Sequence, residues 1–493
     1  MSIASEIKKG ALVNFFGVIG KIAAPAFLIV VNRLFGPDIF GLYITASITI
    51  EIIIAFLTSG FKDSALIFVA RYAENKEDTS KLYNSLSNAF AWSVGFSILI
   101  LIFGSIFGNV ILEFAYKDEF SNGLSIMFTY MLFAIPLMAF ERIVLAATQG
   151  LKIMKYDAIS NGWLRPIILL VFAIIFWFYK PSIVGMALTY LCTQIVLFLM
   201  SIWVFTRELN WSKLQHGLIH LKMDKELLDF AIPQNINMTL NRFITGIDVL
   251  MLPVFGFSTT SVGFYGAGSM IIREIKAIKM VFSTAFAPHI VRLHKNLKFE
   301  ELSHHFSATS GWIATLAIPI LLLVAIFKHE LLTIIQPQFL GESTFMYFLL
   351  PIPYLYCSLS LAGNIVAMTG HSKLTLINSL AVSIFNVIFN ILFIPKFGII
   401  GAALSSSLAT FILSGLELFE ARKFTNSKLY VSVIYKPHIA GLISATILIF
   451  SLNFIPWFSA GLFEKTVLAT ITIGLFSMSI GTDFIKTVIR KLG

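Results

Sequence analysis

Residues 374–398, LTLINSLAVSIFNVIFNILFIPKFG, run directly into residues 399–421, IIGAALSSSLATFILSGLELFEA. Each holds one apolar window, 374–395 and 399–421, of the roughly 20 residues a helix needs to cross a hydrocarbon core. Such windows recur along the whole chain. About fourteen can be placed, at 11–34, 39–61, 86–108, 123–147, 158–179, 182–205, 229–255, 260–286, 307–328, 344–368, 374–395, 399–421, 437–458 and 462–485. No stretch between them is long enough for a separate soluble domain. The longest polar connections, 62–83, 206–228 and 289–306, are expected to form short surface helices.

Composition agrees with that reading. The 493 residues are 57% hydrophobic and 13% charged, with a mean hydropathy of +0.86, whereas a soluble domain has roughly 45–50% apolar residues. The chain is therefore expected to be an all-α integral membrane protein. Cys192 and Cys357 lie far apart in apolar runs, so neither a disulfide framework nor a metal pair is indicated. The net charge of +10 does not point to nucleic acid, because the basic residues form short clusters between apolar runs and no single stripe. The first apolar stretch follows Lys8 and Lys9, contains Lys21 and leads straight into another span; it reads as an uncleaved helix, not a signal peptide.

Orientation follows from those clusters. With the N-terminus in the cytoplasm, about 23 Lys/Arg fall on cytoplasmic segments, about 6 on external ones and about 7 inside helices, accounting for all 36. Both termini are then cytoplasmic, as expected of a multi-pass protein of the cytoplasmic (inner) membrane.

The two halves repeat. Leu34-Phe35-Gly36 followed by Phe40-Gly41-Leu42-Tyr43 returns as Val254-Phe255-Gly256 followed by Val262-Gly263-Phe264-Tyr265, an offset of about 220 residues. Thr148-Gln149-Gly150 returns as Met368-Thr369-Gly370, and Ile183-Val184-Gly185-Met186-Ala187-Leu188 as Ile399-Ile400-Gly401-Ala402-Ala403-Leu404. Each unit has an even number of spans, about six, so the lobes point the same way and are related by a pseudo-twofold axis along the membrane normal. The expected division is a first lobe at 1–215, a second at 216–434, and two extra helices at 435–493.

These strings resemble the polysaccharide flippase family, the Wzx-type branch of the multidrug/oligosaccharidyl-lipid/polysaccharide exporter superfamily. Ile247-Asp248 leading through Phe255-Gly256 to Val262-Gly263-Phe264-Tyr265 is similar to its seventh-helix pattern. Ala285-Phe286-Ala287-Pro288 with Glu300-Glu301-Leu302 looks like its eighth-helix exit. Thr369-Gly370 through Asn386 and Asn390 to Pro395-Lys396-Phe397-Gly398-Ile399-Ile400-Gly401-Ala402-Ala403 resembles the characteristic stretch of its C-terminal lobe. Val249 departs from the pattern, since family members often carry a basic residue there, so no local ion pair is assumed. The resemblance implies two six-helix lobes around a central cavity, alternating access, and a lipid-pyrophosphate-linked oligosaccharide as substrate, with membrane lipids and other polysaccharide-assembly proteins as partners. It implies no enzyme activity, no metal and no cofactor beyond a coupling ion, H+ or Na+, that stays undecided.

Independently of the resemblance, ionisable residues inside spans are costly, about 2.5–3.5 kcal/mol each on insertion scales, and normally face a polar cavity or a partner. Lys21, Arg242, Arg273, Lys276 and Arg142 are the candidates for an anionic headgroup, because Arg engages phosphate oxygens bidentately and Lys supplies a mobile charge. Lys21 and Arg242 occupy equivalent places in the repeat. Arg273, Lys276 and Lys279 step by three along one side of a helix, and Lys279 could reach out to the headgroups. Asn14 shares a helix face with Lys21, while Asn237, Asn241, Thr245 and Asp248 form a polar stripe, so Asn14, Asn237 and Asn241 are expected to line the cavity. Asp248, Glu51, Glu274 and Glu141 are candidates for coupling or gating. Arg165 could tie to Glu141. Pro25, Pro136, Pro233, Pro319, Pro351 and Pro353 mark places where spans can bend.

The competing reading is an ion-coupled exporter of drugs or small molecules, whose site for cations would be acidic and aromatic; this interior is net basic. A membrane enzyme would ordinarily carry its carboxylates on a large loop, and the loops here are short.

Overall fold

The computed structural model describes residues 23–73, 79–116, 118–337, 343–455 and 461–480. Lys21 and Asn14 lie outside the described residues. Among those residues every regular element is a helix: α1 (Ala23–Ala73), α2 (Thr79–Ala115), α3 (Asp118–Leu132), α4 (Ala134–Gly150), α5 (Lys155–Tyr179), α6 (Ile183–Glu208), α7 (Trp211–Ile219), α8 (Lys225–Val254), α9 (Thr259–Ile275), α10 (Ala277–Lys295), α11 (Phe299–Ile326), α12 (Lys328–Ile335), α13 (Phe345–Leu349), α14 (Pro351–Ser358), α15 (Leu361–Met368), α16 (Ser372–Phe397), α17 (Ile399–Phe424), α18 (Val431–Phe454) and α19 (Leu462–Ile480).

By length and composition nine helices among the described residues can cross a membrane, or up to eleven if each of two bent pairs is one span. That is fewer than the fourteen expected, and the shortfall has three physical sources. Residues 23–34 of the first expected span and the whole of the second run together in α1, broken only at Gly36, whose φ of 86° is not helical. Helices α8 and α9–α10 are absent from the set, because the Asn, Arg, Lys and Asp residues that make them candidates for function also lower their apolarity. The bent pairs are α3–α4, at 42°, and α13–α14 with α15, at 45°. In the first, Pro136 sits four residues after Leu132, the last residue of α3, and its ring crowds that carbonyl.

By packing, the chain divides into one compact unit of Met1–Gly266 with Ile335–Pro337 and a second of Ala267–Ile334 with Gln338–Gly493. This boundary lies further along the chain than the one expected at residue 215, because α8 packs most extensively on α1. The reason is local. Gly60 of α1 has no side chain and lets Ala231 come so near that a Cβ there would stand 2.0 Å from its carbonyl oxygen; the Gly60 N–H then donates to Asn235 Oδ1 at 2.6 Å.

Two pairs of repeat-related glycines have the same backbone duty inside the first unit. Gly36 and Gly256 both take positive φ, 86° and 83°, and each ends one helix just before the next begins. Gly41 and Gly263 make a reciprocal close approach: a Cβ on Gly41 would lie 2.0 Å from the Thr259 carbonyl oxygen, and one on Gly263 would lie 2.3 Å from that of Pro37. Asp38 fastens the crossing by accepting from the hydroxyls of Thr259 and Thr260. Gly41→Ala and Gly263→Ala are each expected to cost about 1–3 kcal/mol through overpacking against backbone that cannot yield. Thermal unfolding of the purified protein in detergent measures this, and an unchanged midpoint in both would contradict the contact.

The outer surfaces are apolar where lipid would touch them. On α2, Leu99, Ile102, Phe103, Ile106, Phe107 and Val110 are all exposed, while α16 turns Ile377, Leu380, Ile384, Ile388 and Ile391 outward and buries Asn378, Ser379, Ser383, Asn386 and Asn390. Polar-in, apolar-out helices suit a bilayer. In the second unit α11 serves as the spine, with Ile318, Leu322 and Ile326 packing against Leu448 of α18 and Leu468 and Phe476 of α19.

Candidate functional site

The first unit gathers charge where its helices are otherwise apolar. Neighbouring residues on a helix point about 100° apart, so Glu141 and Arg142 of α4 find different partners. Glu141, 1% exposed, accepts from Arg165 Nη2 at 3.0 and 2.8 Å and from Ser160 Oγ at 2.8 Å. Ser160 opens the π-helical turn Ser160–Leu164 of α5 and Arg165 follows it directly. Arg142 Nη2 donates to Glu51 Oε2 of α1 at 2.9 Å, and its Nη1 reaches Thr58 Oγ1 at 3.5 Å. Glu51 also lies within the field of Arg242 and Arg165.

Arg242, on α8, differs from the other two arginines. It is exposed and pairs with no carboxylate among the described residues. Three arginines thus share two carboxylates, and the surplus positive charge sits on the one guanidinium that nothing among those residues holds. Around it runs the polar stripe. Asn241 Nδ2 donates to Asn237 O and Oδ1 at 3.0 and 3.3 Å, and Thr245 Oγ1 donates to Asn241 O at 3.1 Å and Arg242 O at 2.9 Å. Asn237 and Asn241 are half-buried. Asp248 is buried and accepts the phenolic proton of Tyr265, which is fully buried. Its carboxylate therefore joins α8 to α9. Asp248→Ala, which leaves that phenol without its acceptor, is expected to cost about 1–3 kcal/mol, and Asp248→Asn much less; unfolding midpoints of the two variants check the order.

In the second unit Arg273, Lys276 and Lys279 do not lie on one uninterrupted helix, because α9 ends at Ile275 and α10 starts at Ala277, with Lys276 at the junction. Arg273 is half-buried; its Nε donates to Ser269 O at 3.3 Å, while its Nη2 is buried with no hydrogen-bond partner among the described residues. Glu274 is exposed and forms no ion pair among the described residues. Lys279 does not reach outward to headgroups. It is 5% exposed, with Nζ 4.1 Å from the centroid of the Tyr356 ring, which Lys276 Nζ also faces at 5.2 Å. Glu417 of α17 shares the field of Lys279 and lies against Gly363, and its Oε2 is buried with no hydrogen-bond partner among the described residues. Glu420 is buried and accepts from Asn378 Nδ2 at 2.7 Å.

Tyr356, Glu417 and Glu420 are functional candidates the sequence reading missed. Both glutamates lie close to Arg422 and Lys423 in the chain, so in the sequence they merge with a basic helix end. Among the described residues no group of three or more His, Cys, Asp or Glu side chains could hold a metal ion.

A family model described as "Polysaccharide biosynthesis protein" matches residues 7–294, more than half of the chain. The chain belongs to that family. No curated protein sequence matches it. Among solved structures it is similar to the lipid II flippase MurJ in an inward closed conformation, with a TM-score of 0.74 and 16% identity, covering 97% of this chain and 100% of that one. It is similar also to a multidrug resistance MATE family transporter of the MOP superfamily in an inward-facing conformation, with a TM-score of 0.72 and 14% identity, over 83% and 94% of the two chains. A third is the MATE multidrug transporter DinF-BH, with a TM-score of 0.62 and 17% identity, over 85% and 96%. At these identities the likeness is one of fold. This member of the polysaccharide biosynthesis family is accordingly a multi-pass membrane protein that shares its fold with those solved structures.

Proposed function

We propose that this chain is a flippase that moves a lipid-(pyro)phosphate-linked oligosaccharide from the cytoplasmic to the outer leaflet by alternating access, for cell-surface polysaccharide synthesis. The observation that carries the reading is Arg242, an exposed guanidinium on a polar stripe, beside a Glu51–Arg142 pair and with no carboxylate of its own among the described residues. Such a group has hydrogen-bond donors to offer an incoming anion. Arg142 offers the same headgroup a second guanidinium once the phosphate competes with Glu51, and Lys21, which lies outside the described residues, stays a candidate on its sequence alone. In the second unit Arg273 and Lys276 are the candidates for phosphate contact, and Arg273 has a buried donor with no partner among the described residues.

The protein has no bond to break. A sugar hydroxyl left unsatisfied in hydrocarbon costs several kcal/mol, and Asn237, Asn241 and Thr245 supply polar contacts instead. A membrane potential negative inside drives anions outward with about 2.3 kcal/mol per charge per 100 mV, or about 4.6 kcal/mol for two net charges, so a coupling ion is optional. Of the four carboxylates considered for coupling, Glu141 is committed to Arg165 and Asp248 to Tyr265, which leaves Glu51, whose partner Arg142 the substrate could draw away, and the exposed Glu274. We place the protein in the cytoplasmic membrane with both termini inside.

The MATE likeness favours a second reading, export of a small molecule, but a cationic drug would meet the surplus positive charge around Arg242. Deleting the gene decides between the two: lipid-linked oligosaccharide should accumulate on the inner leaflet and disappear on complementation. Normal surface polysaccharide in the deletion strain would end the flippase proposal.

A further inference from the structure

The first unit holds a pocket of about 770 Å³ whose lining includes none of the arginine cluster, built where the start of α2 meets α7 and the segment leading into α8. Its wall is braced. Ser87 Oγ donates to Leu214 O at 3.2 Å, Asn88 Nδ2 to Lys222 O at 2.8 Å, the Asp224 amide to Asn88 Oδ1 at 3.3 Å, and the Asn210 amide to Tyr83 OH at 2.8 Å. Gly217 lies so near α2 that a Cβ would fall 2.3 Å from Ser87 Oγ. These contacts fix α7 against α2, and the fixed wall turns Lys213, Lys222, His216 and His220 into the cavity, with Tyr72 and Tyr83 beside them.

Charge and shape then select the ligand. Neither Lys213 nor Lys222 has a carboxylate within ion-pair distance among the described residues. Asp224, the one acid among the described residues that line the pocket, is occupied: it caps α8 by accepting from Leu227 N at 3.1 Å and takes Ser85 Oγ at 2.8 Å. Lysine amines and aromatic rings around a concave space suit a compact polyanion. The nearby Trp211, Ile219 and Met223 are exposed, 55%, 69% and 69%, which is the pattern of a helix lying in the interface, its apolar side in acyl chains and its cations at headgroup level.

From this we infer that the pocket is a second anion site that binds a phosphate group, the headgroup of an anionic phospholipid or a soluble phosphate compound. The site is separate from Arg242 and does not depend on the flippase reading. The test uses the full chain purified in detergent, or reconstituted in nanodiscs. One arm titrates inorganic pyrophosphate, the other compares nanodiscs of pure phosphatidylcholine with nanodiscs containing phosphatidylglycerol, and both read Trp fluorescence. Lys213→Gln/Lys222→Gln is expected to weaken binding by about tenfold or more in the arm that names the source, and Lys213→Arg/Lys222→Arg to retain it. Retention by the arginine variant shows that a loss in the glutamine variant is a loss of charge and not of folding. No response in either arm, a change smaller than tenfold in the glutamine variant, or equal loss in both variants overturns the inference.

Discussion

Arg242→Ala is expected to lower glycan export by about a hundredfold while leaving the amount of protein in the membrane unchanged. Charge-assisted contacts between an arginine and phosphate are worth about 1.5–3 kcal/mol, and truncating one partner of a buried charged contact costs about 2–5 kcal/mol. A loss near 3 kcal/mol corresponds to about two orders of magnitude. Folding should be spared, because Arg242 is exposed and pairs with no carboxylate among the described residues, so its removal strands nothing. Arg242→Lys separates charge from geometry: it keeps the positive point but not the planar fork, and is expected to fall between wild type and alanine. Export is read from surface polysaccharide and from lipid-linked oligosaccharide remaining on the inner leaflet. Full export by the alanine variant would remove Arg242 from the site.

Much of the fold was legible because a bilayer allows few solutions. Once apolar windows of about 20 residues are seen, helices follow, since every backbone group in hydrocarbon must be satisfied within its own segment. The glycine strings could be read as a repeat for a related reason. Gly41 and Gly263 stand where two backbones nearly touch, and a position that admits no side chain keeps its identity in both copies. What the sequence concealed were interactions between helices. The polar stripe on α8 was visible as a period, but nothing in that period tells that the same helix packs on α1 through Gly60 and Asn235.

The charged residues show the same limit. Arg165 and Glu141 could be read as a tie, and they form one. The pairing of Arg142 with Glu51, which are 91 residues apart, could not. Lys279 illustrates an error of height: placed near the end of a span it reads as a side chain able to bend outward, yet it lies on Tyr356 in the interior. A shift of a few residues in a helix end is enough to exchange those two outcomes, and the break at Lys276 is such a shift.

The largest effect on folding is expected at Glu141. Its carboxylate takes three hydrogen bonds, two from Arg165 and one from Ser160, and Arg165 Nε is already buried without a partner among the described residues. Glu141→Ala would leave a guanidinium inside the helices with its main acceptor gone, a change that typically costs about 3–5 kcal/mol. The variant should therefore be scarce in the membrane and unfold at lower temperature in detergent. Replacing both partners is the informative control, since removing the charge together with its counter-charge can be close to neutral. Glu141→Leu/Arg165→Met is expected to recover most of the lost stability. If the double variant also recovers export, the pair is a brace and the chemistry of transport lies with Arg242 and Arg142. If it is stable and inactive, Arg165 is needed for transport itself, and the group that receives phosphate extends from α8 across α4 to α5.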